Sequence, residues 1–287
     1  VDVLSIEPAI YFPFSIGKYE VKPGLSRFGK DFGNGKRDQM VFQRDRLANQ
    51  YLDEKHAARA RGISRSYAMC DFDKDVLDTV CDFIEARLKV EHPKMMESAR
   101  LDGIDRFDAL AMLVQEDLCV VRVEDDRNWL AAAHLCLANG WSPQEKIGRD
   151  FFEIHSPVAH IEPINAAAAS HAQAMVRAVE GLVRFAWGLQ FHDELDRHPD
   201  RAAELAKRET IERAHVRVER QTIWGLPTAR AALFTIRTYL YSCDMMSTEL
   251  KASLAKAIES MSPQSRAYKG VEGFADALVN RLRHSVR

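Results

Sequence analysis

Between His215 and Leu240 the chain twice alternates side-chain character with a period of two. The pattern suits β-strands, whose side chains point to opposite faces in turn. In the first run His215, Arg217, Glu219 and Gln221 share one face and Val216, Val218, Arg220 and Thr222 the other. In the second, Thr235, Arg237 and Tyr239 alternate with Phe234, Ile236 and Leu240, and Trp224-Gly-Leu-Pro227-Thr between them is a loop signal. Polar groups at this density need partners wherever they are buried. Two readings follow. One is a surface ladder of Arg/Glu pairs; the other is a polar pocket wall, with a carboxylate for a cationic group or for proton transfer and arginines for anionic groups.

Three further strands are read from apolar and β-branched runs at Leu118 to Val123, Leu130 to Leu137 and Val183 to Phe191. The first two are joined by the polar turn Glu124-Asp-Asp126-Arg-Asn128, which suits a hairpin. Residues Ser142 to Gly181 between the second and third strands read as helical or irregular. Helical spacing also covers Gln39 to about Gln115, with Asp73 or Asp75 as an N-cap and Pro93 as a stop, and returns from Thr248 to Arg287. The sign-alternating stretches Arg44-Asp-Arg46 and Asp53-Glu-Lys55-His56 are expected on a solvated face. About 45 N-terminal residues mix prolines and glycines with Tyr11, Phe12, Phe14, Tyr19, Phe28 and Phe32, an extended arm with aromatic anchors. The order predicts an α+β fold: a PAS-like antiparallel five-stranded sheet with a helical crossover, wrapped by N- and C-terminal helices. The expected divisions are residues 1–115, the arm and helical layer; 116–240, the core; and 241–287, the C-terminal helices.

The 287 residues carry 40 Lys+Arg against 42 Asp+Glu, so no global field draws the chain to nucleic acid or an anionic membrane. The longest apolar stretch, Leu130 to Pro143, is shorter than the ~20 residues of a membrane helix. Five cysteines without CxxC spacing argue against a disulfide framework, a four-Cys zinc site or an iron–sulfur cluster. The default location is the cytoplasm, and the start at Val1 leaves a cleaved leader open. Hydrolase elbows, HExxH and dinucleotide fingerprints are absent from the sequence.

The densest motif runs from Asn139 through Gly140, Trp141, Ser142 and Lys146 to Gly148, and on through Ile154, His155, Pro157 and His160. Ser142 and Glu145 have the spacing of a capping box. His155, two residues before Pro157, sits on a turn stiffened by proline, where it is either a metal or haem ligand or a buried histidine satisfied by its neighbours.

Glu116-Asp-Leu118, the segment from Leu135 to Gly148, Ile154-His155-Ser-Pro157-Val158, Val183-Arg-Phe-Ala-Trp187-Gly, Arg217-Val-Glu-Arg-Gln-Thr222 and Leu233-Phe-Thr-Ile-Arg-Thr-Tyr239 together resemble the haem-dependent oxidative N-demethylase family, which includes the haem-binding subunit of dimethylamine monooxygenase-type enzymes. The resemblance spans roughly residues 116 to 240. It implies haem b in a PAS cavity and O2-dependent conversion of a small secondary amine to a primary amine and formaldehyde. Electrons would come from NADPH through a separate flavin or iron–sulfur reductase. By the same resemblance His155 is the axial iron ligand. Arg217, Glu219, Arg220, Arg237 and Tyr239 form the polar pocket, with Glu219, Arg217 and Tyr239 on the catalytic side, and Arg220, Arg237, Lys146 and Trp141 on the cofactor. Two departures stand out. Ala159 replaces the second proline of the family's His-x-Pro-Val-Pro turn, and Phe185-Ala186 precede Trp187 where a polar residue is common, which points to a more apolar pocket and a different amine. The competing class is a haem PAS sensor without turnover.

Overall fold

The computed structural model describes residues 5–70, 73–125 and 127–284; Asp126 of the expected hairpin turn and Arg287 lie outside them. One antiparallel sheet organises the chain. Its strands are β1 (Ser26–Arg27), β2 (Tyr67–Met69), β3 (Asp117–Glu124), β4 (Arg127–His134), β5 (Leu182–Gln190), β6 (His215–Leu226) and β7 (Ala231–Ser242), in the order β1-β5-β6-β7-β3-β4-β2. The five expected strands are its inner members. Two short edge strands bring the number to seven, and they carry no sequence signal because their pairing with β5 and β4 is wholly long-range. β4 ends at His134 and does not continue to Leu137. The Asp117 carboxylate accepts from the backbone N–H of Cys136 at 2.9 Å and of Leu137 at 2.8 Å, and so takes the place of a ladder partner there.

Helices cover both sheet faces. An N-terminal set, α1 (Ala48–Ala60), α2 (Ile63–Ser66), α3 (Lys74–Glu91), α4 (Pro93–Ser98) and α5 (Arg106–Ala111), precedes β3. The crossover from β4 to β5 holds α6 (Pro143–Lys146), α7 (Phe151–His155), α8 (Glu162–Asn165) and α9 (Ala168–Arg177). Then come α10 (Ala202–Ala206) and the C-terminal α11 (Thr248–Glu259), α12 (Pro263–Tyr268) and α13 (Ala275–His284). Among the described residues no helix is long and apolar enough to cross a membrane. Asp73 occupies the N-cap of α3 without a side-chain cap bond, and Pro93 opens α4 after α3 has ended at Glu91.

The register divides the sheet cleanly. Val216, Val218, Arg220 and Thr222 of β6 lie on the face of Tyr241, Tyr239, Arg237 and Thr235 of β7. This arm face is closed by the aromatic arm, by α11 and α13 through Leu254, Ile258 and Leu278, and by α3 and α5 through Ile84, Leu88, Phe107 and Leu110. Tyr11 is the arm's anchor, its ring 4.7 Å from Phe185 and 5.5 Å from Tyr239. The opposite, crossover face carries Arg217, Glu219, Gln221 and Ile223 with Leu240, Thr238, Ile236 and Phe234. α9 packs there against Val123, Ile223 and Ala232. Its C-terminal end approaches so closely that a Cβ at Gly225 would fall 2.2 Å from the Val176 carbonyl oxygen, so only glycine fits.

The solvated face expected for two charged stretches holds for Arg46, Asp53 and His56, which are exposed, and is corrected at Asp45 and Lys55. Asp45 is 2% exposed and Lys55 fully buried. Lys55 reaches from α1 to donate its Nζ to the carbonyls of Ala111, Val114 and Glu116, beside Asp117 at 3.7 Å. Alternating charge sign does not by itself reveal that these carbonyls, left without strand partners, take a lysine as their donor.

Candidate functional site

The two faces differ in how completely they are covered. On the arm face Val216, Val218, Thr222, Leu233 and Arg237 are all buried. On the crossover face Phe234 and Glu219, in the middle of the sheet, and Arg184 and Ala186 beside them on β5 remain half-buried. These partly open residues border the apolar packing of Trp141, Ile147 and Ile154 of the crossover against Cys119, Leu130, Ile236 and Phe234 of the sheet, and we call this incompletely covered side of the sheet the cleft.

Local capping builds the crossover wall. Ser142 caps α6 in the expected reciprocal box with Glu145, with Pro143 at the first helical position. Trp141 is thereby fixed just ahead of the helix. Lys146, one turn on, donates to the Ile154 carbonyl at 3.0 Å and lies 5.0 Å over the Trp141 ring. A second box, Asp150 with Glu153, starts α7, and Phe151 N–H donates to the Asn128 side chain at 2.8 Å, tying that helix to β4.

His155 is the last residue of α7, so the sequence expectation of a proline-stiffened turn is corrected: Pro157 follows in the exposed turn, and the helix itself orients the ring. Nδ1 lies 2.7 Å from the Phe151 carbonyl, which can only accept, so Nδ1 carries the proton. The ring packs on that of Phe151, centroids 4.2 Å apart and tilted by 32°. Nε2 has no hydrogen-bond partner among the described residues. Burial, together with the Arg184 and Lys146 charges, pushes the imidazole down to about 4, leaving it neutral near pH 7 with a free lone pair. Backbone fixation of one ring nitrogen with the other left bare is how proteins orient a metal-ligating histidine.

Across the cleft Glu219 is held by three donors: Asn139 Nδ2 at 2.7 Å, Gln221 Nε2 at 3.0 Å and Arg217 Nε at 3.4 Å. Arg217 spends the rest of its guanidinium on the carbonyls of Leu195 and Leu137 and on Thr238 Oγ1, which makes it a buttress beneath the carboxylate. Asn139 is oriented in turn by Arg197, whose Nη1 donates to its Oδ1 at 2.9 Å. Arg184 and Gln221 each keep one buried polar atom, Nε and Oε1, without a partner. Arg184, Arg197 and Lys269 were not singled out from the sequence. Alternation through Arg184, Ala186 and Gly188 was the available signal for the first; Lys269 comes from a distant helix end and offered none.

Arg220, Arg237 and Tyr239 lie on the other face. Arg237 Nη2 donates to Asp45 at 2.8 Å with its guanidinium 4.0 Å from the Tyr51 ring centre; Arg220 Nη2 donates to the Met40 carbonyl at 2.9 Å; Tyr239 OH donates to Gln43. All three fasten the arm to the sheet. The structure therefore puts His155, Lys146, Trp141, Arg217 and Glu219 on the crossover side of the sheet and Arg220, Arg237 and Tyr239 on the other. None of the three arginines is in a surface ladder: Arg217, Arg220 and Arg237 are buried. Phe185 likewise packs on the arm, leaving Ala186 as the residue that faces the cleft.

No group of three or more His, Cys, Asp or Glu side chains among the described residues is arranged to hold a metal ion, and all five cysteines are free. Among the described residues the cleft offers one imidazole nitrogen without a hydrogen-bond partner, apolar walls and cations such as Arg184 and Arg197 that have no ion pair, which fits a metal carried in a flat, apolar, acid-bearing cofactor. Haem has that chemistry, and these residues fit it. Residues 47–279 match the family model described as haem-dependent oxidative N-demethylase, alpha subunit-like. The chain belongs to that family. The family name designates a haem-dependent oxidoreductase and the α subunit of an enzyme with further subunits.

Proposed function

We propose that this chain is the haem b-binding subunit of an oxidative N-demethylase that converts a small secondary amine to a primary amine and formaldehyde. The observation that carries the reading is His155, its Nδ1 proton tied to the Phe151 carbonyl and its Nε2 without a hydrogen-bond partner among the described residues. His155 would hold the iron, with Trp141, Phe234 and Ile236 as apolar walls. The strand order β4-β3-β7-β6-β5 of the inner sheet supports a PAS-like core at residues 116–240, with 1–115 and 241–287 as the proposed flanking divisions.

When bound, haem supplies O2 activation; the chain supplies the surroundings. Glu219, kept in place by Asn139, Gln221 and Arg217, retains lone-pair capacity to orient a protonated amine and to pass a proton toward the reacting atoms. The apolar wall limits water access to the N-methyl group. Ala186, opposite Glu219 on β5, puts an apolar side chain beside the carboxylate and favours an amine other than dimethylamine. Reducing equivalents come from a separate NADPH-linked flavin or iron–sulfur subunit, and the cytoplasm is the proposed location.

The test is formaldehyde release by haem-loaded protein with O2, a reductase and NADPH over a panel of methylamines. Turnover of at least one secondary amine is expected, with Glu219→Gln retaining haem but losing most turnover. A normal haem spectrum without turnover of any amine would instead identify a ligand-binding haem sensor.

A further inference from the structure

Three cations of the cleft have no ion-pair partner among the described residues: Arg184 on β5, Arg197 in the β5–α10 connection, and Lys269 just past α12. Their placement is specific. Arg184 stands opposite Gln221 on the crossover face, with its buried Nε unpartnered. Arg197 is one hydrogen bond from Asn139, which is one from Glu219. Lys269 lies over the same strand: a Cβ at Gly188 would come 3.9 Å from its Nζ, and that ammonium is 5.5 Å from the Tyr268 ring centre and 5.9 Å from that of Tyr19. Burial lowers the affinity of all three for their protons, the Arg197 guanidinium to about 10, and Lys269 feels both arginines as well as Glu219.

With Arg217 included, four cations surround the single carboxylate of Glu219. Gathering like charges in a partly desolvated cleft is costly unless anions arrive to offset them. Lys269 is itself held over the sheet by the rings of Tyr268 and Tyr19, near Gly188 of β5. We propose that Arg184, Arg197 and Lys269 form a dianion seat that takes the two propionates of the haem and so sets its orientation in the cleft. The inference rests on the haem reading above, and it removes the propionate role from Arg220 and Arg237, which lie on the opposite face of the sheet, Arg220 bonded to the Met40 carbonyl and Arg237 to Asp45.

The test compares haem with haem dimethyl ester, in which both propionates are uncharged, by titrating cofactor-free protein and following the absorption spectrum and tryptophan quenching. Wild-type protein is expected to bind haem roughly tenfold to a hundredfold more tightly than the ester, the range for losing one or two charge-assisted hydrogen bonds. Lys269→Met and Arg184→Met should each shrink that ratio, the pair bringing it near one, while Arg220→Met should leave it unchanged. Because the wild-type comparison needs no variant, a variant that fails to fold does not remove the test. Equal affinity for haem and ester in the wild type overturns the seat and leaves the haem reading standing. Failure to bind either one overturns both.

Discussion

The arm face and the crossover face of one sheet carry the same residue types to opposite ends. On the arm face Arg220, Arg237 and Tyr239 are buried, bonded to Met40, Asp45 and Gln43, and act as rivets for the end of the arm. On the crossover face Arg184, Arg197 and Lys269 stand without anionic partners around Glu219, near an imidazole nitrogen left bare. The arm-face guanidiniums are locked to a segment that covers them, with Arg220 Nη1 and Arg237 Nε and Nη1 still buried without a partner, whereas the crossover-face cations are only partly covered and stand around one carboxylate.

That contrast gives the substitutions different signs. The largest expected loss is Asp45→Ala, which strands a fully buried guanidinium and should cost about 3–5 kcal/mol in chemical denaturation; a loss below about 1 kcal/mol would mean the arm contact is dispensable.

The pH dependence separates the faces next. Glu116, fully buried beneath the arm, has its carboxyl raised by burial to about 7, so its contribution is complete below the ordinary glutamate range near 4.5 and is lost as pH rises to 7. Glu116→Gln should recover roughly 3 kcal/mol of that difference. His155 has the opposite slope. Its folded value of about 4 lies below the ordinary 6.5, so its contribution is complete above 6.5 and is lost as pH falls toward 4. His155→Gln should flatten stability on that side only, read by thermal melts of cofactor-free protein from pH 4 to 8.

A smaller effect tests the sign directly. Arg184→Met should stabilise the cofactor-free protein by about 1 kcal/mol, because it removes a poorly compensated charge from a site kept for function. Tyr239→Phe, with one hydrogen bond lost to Gln43, should cost about 1 kcal/mol. If the two changes move stability in the same direction, the faces are not differently built.

Much of this was legible in the sequence, for physical reasons that also explain the gaps. Period-two alternation located β6 and β7 and put Arg217 and Glu219 on one face and Arg220 on the other, because the pleat enforces it. It could not say how β7 is registered against β6, and the register is what puts Arg237 and Tyr239 beside Arg220. The Ser142 box was readable because capping is local. Asp45 and Lys55 looked like solvated charge because their partners, Arg237 and the carbonyls before β3, are far away in the chain. His155 was found through its motif, whereas the feature that prepares it, the carbonyl one helical turn back, required α7 to be seen as a helix. Lys269 reaches the cleft only through tertiary folding of the C-terminal helices.

The central claim is that His155 presents Nε2 to the iron of a bound haem. Its most direct test is the absorption spectrum of haem-titrated wild-type protein and of His155→Ala, with circular dichroism confirming that both are folded. A protein-bound Soret band in the wild type that is lost in the variant, and partly restored by added imidazole, is the predicted result. Identical bound-haem spectra in the two proteins would contradict it.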